Sequence, residues 1–525
     1  MTHLRLLIAP VLALALAPAA MAQSAAVSVS VTVDTGKAGP AIDRHIYGQF
    51  AEHLGHGIYD GIWVGENSKI ANIHGYRTDV VNALKEIKVP VVRWPGGCFG
   101  DLYNWRDGIG PRAKRPTRIN VHWGGVTEDN SFGTHEFLNF AELIGADAYV
   151  SGNVGSLTPL DNADWMEYMT SSENSTLANE RRANGRKEPW TIKYFGVGNE
   201  LWGCGGAMGA QYATDVSKRY AQFINAPAAM GMTKVISGPN GPSPTVTDYA
   251  DTMLKGMPNM QMLSIHQYTF PHSRPANAPP GAAYKRGPAT GFDEDEWALT
   301  LSKGEAMEPL LAKLIAVMDK DDPNKRTMLS IDEWGTWYDQ EPGSHPGFLY
   351  QQNSLRDAEV AALTLNIFHR HTDRVKMTNI AQMINVLQAM ILTDKEKFLR
   401  TPTYWVYHMY VPFQGATPYA ASVNSPSYTH GDYAIQQVDV SAARGTDGKL
   451  YLSLVNTDPN KPAHVTTNLT GSASGHVLTG SAMDAHNTFE APNAIVPAAY
   501  TGHNENGKLA FDLPAKAVAV VQVQQ

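Results

Sequence analysis

Between residues 42 and 413 the chain alternates short apolar runs with longer stretches in which apolar positions recur at helical spacing. That rhythm predicts parallel strands joined by helices. Eight runs read as strands: 46–54, 89–94, 147–153, 192–199, 233–238, 262–268, 327–334 and 375–384. Several are rich in β-branched residues without strict alternation, as strands buried on both faces are. Helical stretches at 79–87, 212–224, 309–318 and 357–368 precede the second, fifth, seventh and eighth of them. Eight such units predict a (β/α)8 TIM barrel with elaborated loops. The largest insertion, 271–296, is rich in Pro, Gly and Ala and follows the sixth strand. A connection of that length reads as functional.

The rhythm changes after residue 414. Runs at 433–439, 450–456, 464–469, 475–479 and 517–523 are short, strand-like and separated by turn residues. They predict an all-β sandwich, jelly-roll-like, over 414–525. In segment 23–41, residues 26–33 alternate Val with Ser and predict a strand joining that sandwich. The first 22 residues read as a signal peptide: a basic start ending at Arg5, an apolar stretch at 6–18, then Ala20-Met21-Ala22. This predicts cleavage after Ala22 and export to the periplasm or the medium. Residues 6–22 are short for a membrane span, and no later stretch reaches the ~18 apolar residues a span needs, so no membrane partner is expected.

Composition narrows the function. Of 525 residues 43% are hydrophobic and 18% charged, enough apolar content for a large core. The net charge of -8, with no Lys/Arg-rich run, argues against a nucleic-acid partner. The two cysteines, Cys98 and Cys204, make neither a disulfide scaffold nor a four-thiolate zinc site. A bridge between them and two free thiols are both open. His135-Glu136 lacks the second His of a zinc-protease motif, and no cofactor is called for.

Two strand ends carry the chemistry. KYFGVGNE (193–200) and MLSIDEW (328–334) each bring a carboxylate to the tip of an apolar run. Asn-Glu occurs three times in the chain, but only Glu200 follows such a run. Asp-Glu-Trp occurs twice, and the copy at 295–297 lies in an acidic stretch that leads into a helix. Context therefore selects Glu200 and Glu333, on strands four and seven, at the barrel face where active groups gather. Singly, each reads as a surface or salt-bridged glutamate; together they are the pair that glycoside cleavage requires. A separation of about 5–5.5 Å would predict retention of configuration. Other tips are polar where a sugar would need partners: GQFAEHLG (48–55), RWPGGC (93–98), SIHQY (264–268) and NIAQM (379–383). Arg93 reads equally as an ion-paired barrel residue and as a mouth donor. Gly96-Gly97 reads as a backbone requirement, because no P-loop Lys follows.

With these motifs the chain resembles family 51 of the glycoside hydrolases, the α-L-arabinofuranosidases. GQFAEHLG, VVRWPGGC, EDNSFGTHEF, GVGNELW, SIHQY, SIDEWGTWY and NIAQMINVL run in the family's order across residues 48–387. The resemblance implies a retaining hydrolase that removes terminal α-L-arabinofuranosyl groups from arabinoxylan, arabinan or their oligosaccharides. It implies no cofactor and assembly as a homo-oligomer. By position, Glu200 resembles the general acid/base and Glu333 the nucleophile. Glu52, Asn199, Tyr268 and Gln382 resemble residues that hold the furanose ring and orient the nucleophile; His266 and Trp337 resemble pocket walls. Cys98 stands where many members carry an Asn that touches the sugar. The segment Trp202-Gly203-Cys204-Gly205-Gly206 also departs from many members. Two other readings are an endo-β-glucanase or xylanase on the same scaffold, and a carbohydrate-binding protein without catalysis. A pocket closed by the 271–296 loop would favour the exo enzyme and an open groove the endo enzyme.

Overall fold

The computed structural model describes residues 25–272 and 285–524. The proposed signal segment 1–22 lies outside the described residues. So does part of the 271–296 insertion, residues 273–284.

Eight parallel strands close a barrel in chain order: Gly48–Phe50, Val91–Trp94, Asp147–Gly152, Tyr194–Val197, Thr233–Ile236, Met262–Thr269, Met328–Thr336 and Val375–Ile380. Each overlaps a run read as a strand. The first and last are shorter than their apolar runs. Arg44–Tyr47 winds as a 3-10 turn, and residues 381–390 form a loop buried along its whole length. An apolar run reports burial, and burial does not require a place in the ladder.

The barrel interior has an apolar floor. Val91, Tyr149, Tyr194, Val235, Met262 and Met377 form one buried cluster there. Gly48 is needed beside it: a Cβ would stand 2.4 Å from Thr378 O and 2.6 Å from Val91 Cγ1. Nearer the C-terminal ends of the strands the interior turns polar, with Arg93, His266 and Asp332 all buried.

Helix Leu355–Arg370 lies between the barrel and the C-terminal sheet and is buried almost throughout, which is why its sequence is apolar on several faces. Asp357 accepts from the Ser354 backbone N–H at 2.7 Å and closes a capping box. Along its length Asn366 donates to Asp439 at 2.7 Å, while the His369 ring bonds Tyr47 Oη on the barrel side and Ser441 Oγ on the sheet side. Asn366 and His369 are thus paired across this seam.

The C-terminal part contains a ten-stranded sheet, largely antiparallel. Strand Val27–Ala38 lies inside it, antiparallel to Thr417–Asn424 and parallel to Ala463–Thr467. Inward side chains from strands far apart in the sheet order, such as Leu452, Val465, Phe511 and Val521, share one core, so the sheet curls over itself as a sandwich. The run 433–439 corresponds to two elements. Tyr433–Gln436 pairs with Ser427–His430 in a separate hairpin, and the sheet strand is Val438–Arg444. The exposed residues of the hairpin and the buried residues of the strand are contiguous in sequence, which hides the break. Among the described residues no helix is long and apolar enough to cross a membrane.

Overpacking at Gly48 gives a direct check on this interior. Gly48→Ala is expected to lower stability by on the order of 2 kcal/mol, read as a fall in the denaturant midpoint with unchanged slope. A midpoint equal to that of the parent would contradict the close packing of the first strand against the second and eighth.

Candidate active site

The seventh strand explains how one tip serves two acids. Ser264 pairs with Ser330, but His266 pairs with Glu333, so the seventh strand carries one extra residue between these points. The same slip appears against the eighth strand, between the Ile331–Thr378 and Trp334–Ile380 pairs. Such a bulge re-aims side chains that would otherwise alternate. As a result the consecutive residues Asp332 and Glu333 both enter the barrel, while Ile331 and Trp334 pack outward in the core.

Glu333 is fixed at both oxygens. Arg93 Nη1 donates to Oε1 at 2.7 Å, and Tyr268 Oη donates to Oε2 at 2.8 Å. Arg93 also donates from Nη2 to Asn199 Oδ1 at 2.6 Å, and its guanidinium lies 4.5 Å from the Phe50 ring centroid. Asp332 accepts from Tyr149 Oη at 2.7 Å. Burial alone would push the Asp332 carboxyl up; Arg93, His266 and Tyr149 outweigh it and hold the group below the usual range.

Glu200 follows the fourth strand in a turn with left-handed backbone, φ +40°. Its Oε1 lies 2.9 Å from His266 Nδ1, and the same nitrogen lies 3.4 Å from Glu333 Oε2. His266 Nε2 faces Asp332 Oδ1 at 3.2 Å. Burial alone would lower the His266 pKa; Glu333, Asp332 and Glu200 together raise it to about 10. All three carboxylates thus favour the protonated ring. One oxygen of Glu200, one of Glu333 and a His266 ring nitrogen all lie within 4.8 Å of one another. The same donor set has the chemistry of a cation site, but in this arrangement its atoms pair among themselves and with Arg93 and Tyr268.

Glu52 completes the floor of the pocket. Its Oε1 accepts from Phe99 N at 3.1 Å and Trp123 Nε1 at 2.9 Å, and its Oε2 from Gln382 Nε2 at 3.1 Å. The Gly96-Gly97 backbone passes between these groups. A Cβ on Gly97 would meet Glu333 Oε1 at 2.9 Å and Glu52 Oε1 at 3.4 Å, which is the steric reason for the glycine pair. Trp337 closes one wall, edge-on to Tyr268 at 5.0 Å between centroids, and the Arg286 guanidinium lies 4.5 Å from its ring. A backbone bond from His272 N to Arg286 O at 3.3 Å brings together the two described ends of the insertion beside that wall.

Glu200, Glu333, Glu52, Asn199, His266, Tyr268, Gln382 and Trp337 are thus gathered at one mouth. Cys98 is bonded to Cys204, and the pair flanks Glu200. Sequence reasoning passed over Asp332 and Trp123 and left Arg93 undecided. The Asp of SIDEW was the available signal, but regular alternation would have turned it away from Glu333's side. Trp123 lies in no polar strand tip.

Glu52 provides a pH test. Burial and the nearby Glu333 raise its pKa from 4.5 to about 7. The unfolded chain therefore releases this proton at a lower pH than the folded one. Raising pH from about 4.5 to 7 disfavours the fold, by on the order of 3 kcal/mol once complete. Glu52→Gln is expected to gain thermal midpoint over the parent at pH 8 relative to pH 5. An advantage independent of pH would contradict a buried, proton-holding Glu52.

Known proteins bear on the same geometry. A model of the α-L-arabinofuranosidase C-terminal domain matches residues 332–517, and one of the α-L-arabinofuranosidase 1 domain matches residues 83–278. The chain is 46% identical to an intracellular exo-α-L-arabinofuranosidase of Bacteroides ovatus, over 94% of this chain and 95% of that one. It superposes on the family 51 arabinofuranosidase of Xanthomonas axonopodis pv. citri with TM-score 0.91 at 48% identity, covering 95% of this chain and 100% of the other. The α-L-arabinofuranosidase of Thermotoga maritima, solved with arabinose, gives TM-score 0.82 at 28% identity, again over 95% and 100%. The name of the Bacteroides protein overturns the expectation of export, and with it the secreted reading of residues 1–22. A basic start, an apolar stretch and small residues form a compositional pattern that a retained N-terminus satisfies equally. Relatives matched along nearly the whole chain, on a barrel whose mouth pairs two carboxylates, show that the chain belongs to family 51 of the glycoside hydrolases, the α-L-arabinofuranosidases, which release arabinofuranosyl groups with retention.

Proposed function

We propose that this chain is an exo-acting α-L-arabinofuranosidase in which Glu200 is the general acid/base and Glu333 the nucleophile. The observation that carries this reading is the approach of the two carboxylates, within 4.8 Å at their nearest ligand atoms, with different partners on each. That spacing leaves no room for a water between them and suits double displacement. Glu333, held by Arg93 and Tyr268, attacks the anomeric carbon. Glu200 protonates the departing oxygen through Oε2, the oxygen His266 does not engage. A covalent arabinosyl-enzyme results, and Glu200, now a base, takes a proton from water as that bond is hydrolysed.

The remaining residues serve the ring. Asn199, oriented by Arg93, offers its amide to the sugar 2-hydroxyl, an interaction that strengthens as positive charge develops at the adjacent anomeric carbon. Glu52 and Gln382 form hydrogen bonds to the hydroxyls at the pocket floor, and Trp337 packs against the ring. His266 keeps Glu200 and Glu333 apart in orientation while bridging them in charge. His272 and Arg286 hold the two described ends of the insertion beside the Trp337 wall, an arrangement that suits exo action. The name of the 46% identical relative supports exo action and an intracellular place, where short arabinose-containing oligosaccharides would be the substrates. Assembly into a homo-oligomer belongs to the same reading and rests on the family resemblance; light scattering reads it.

Glu333→Ala is expected to abolish turnover of every arabinofuranoside. Glu200→Ala should keep kcat/KM on aryl arabinofuranosides whose leaving group needs no proton and lose about 10²- to 10⁴-fold on alkyl ones. Added azide should restore turnover of the first class by replacing the water that Glu200 activates. Equal, partial losses in both variants would contradict the assigned roles. Proton NMR of the first product should show the anomer of the substrate, and the inverted anomer would exclude the nucleophile.

A further inference from the structure

Cys98 and Cys204 form a disulfide across the active-site mouth, Cα to Cα 5.6 Å, joining chain positions 106 residues apart. It connects the loop after the second barrel strand to the loop after the fourth. Its two ends are not equivalent in chemistry. On the Cys98 side the next residue, Phe99, donates its N–H to Glu52. On the other side Cys204 Sγ lies 3.5 Å from Glu200 Oε2 and 3.6 Å from Asn199 Nδ2.

The loop that carries Glu200 is strained. Glu200 and Ala207 have φ of +40° and +51°, values that non-glycine residues adopt at a cost. Strain of this kind persists where the surroundings over-determine it. Here Gly203 N and Gly205 N both donate to Glu200 O, at 2.6 and 3.1 Å. Gly205 is seated so tightly that a Cβ would stand 2.0 Å from Asn199 O and 3.1 Å from Asp101 Oδ2. The bridge at Cys204 is the covalent member of that set.

We propose that the Cys98–Cys204 disulfide is a redox-dependent positioning element for Glu200, and that reducing it selectively weakens proton donation to the leaving group. The inference rests on the acid/base role given to Glu200 above. A dithiol reduces the bridge: the S–S bond takes two electrons and two protons, giving two cysteine thiols, and the dithiol becomes a disulfide. Both cysteines are only partly buried, so a small dithiol can reach them. Two consequences follow. The loop loses its tie to the Glu52 side, and the new Cys204 thiol sets a donor hydrogen against the oxygen that must itself carry the catalytic proton. In an intracellular setting disulfides are typically transient or redox-sensing, so thiol poise would set the rate on natural substrates.

The whole enzyme is equilibrated in a graded series of reduced and oxidised dithiothreitol, with free thiols counted at each point. At each point kcat/KM is measured on an activated dinitrophenyl arabinofuranoside and on an alkyl arabinofuranoside. As the thiol count rises from zero to two, kcat/KM on the alkyl substrate should fall about 10-fold or more, reversibly. The activated substrate should change less than about 2-fold, because its leaving group needs no proton. Cys98→Ala/Cys204→Ala should show the same split at every poise. A bridge that only stabilises the fold would alter both substrates together, and that result overturns the proposal, as does an unchanged alkyl rate at full reduction. Glu200→Ala is run alongside. If it lacks the leaving-group split, the acid/base assignment itself fails; if it shows the split and the redox series does not, only the positioning role fails.

Discussion

A single buried guanidinium organises the mouth of this barrel. Arg93 comes from the second strand and reaches across the interior to Glu333, Asn199 and the neighbourhood of Asp332. Buried charges are tolerated only where pairing and hydrogen bonds replace water, and removing one partner leaves the other exposed to the full desolvation cost. Arg93 therefore cannot be exchanged independently of the strands it touches. It holds the seventh strand's acid and the amide beside the fourth strand's acid in one frame. Its lower side is sealed by the apolar floor, and Phe50 lies against its face.

Around this cation the carboxyl groups fall into two kinds. Asp332 sits between Arg93 and His266 and is held below the usual carboxylate range. Glu52 and Asp101 sit where burial prevails, and are pushed up to about 7 and about 8 respectively. Desolvation dominates both of the latter, with Glu333 adding to the first and Glu200 to the second. The site thus carries several acids in a small volume without accumulating their full charge near neutral pH. Proximity to the two cations decides which acids ionise, and the strand tips decide proximity.

The barrel was legible because strands buried on both faces leave contiguous apolar runs, and eight of them recur along the chain. Glu200 and Glu333 were legible because each polar residue ends such a run. What stayed hidden depends on register. The extra residue in Met328–Thr336 leaves no mark in the sequence, so nothing there brought Asp332 to the same side as Glu333. The Cys98–Cys204 link joins loops 106 positions apart, a distance in sequence that says nothing of distance in space. The eighth run continued as apolar past Ile380 because the following loop is buried, and the pattern cannot distinguish a buried loop from a strand. The export reading failed for a related reason: it rested on composition alone, with no packing partner to test it.

Why the two acids can differ at all follows from where each backbone is fixed. Glu333 belongs to a bulged strand whose neighbours on both sides bond to it, so its position is set by the barrel ladder. Glu200 lies just past the end of its strand, on a left-handed turn held by Gly203, Gly205 and the disulfide. The nucleophile role proposed for Glu333 requires it to meet one carbon along one line, and a rigid strand suits that demand. The acid/base role proposed for Glu200 requires it to face a departing oxygen and then an arriving water at nearly the same place. A turn constrained by several separable contacts can hold that carboxyl over the mouth and still leave its second oxygen open to both.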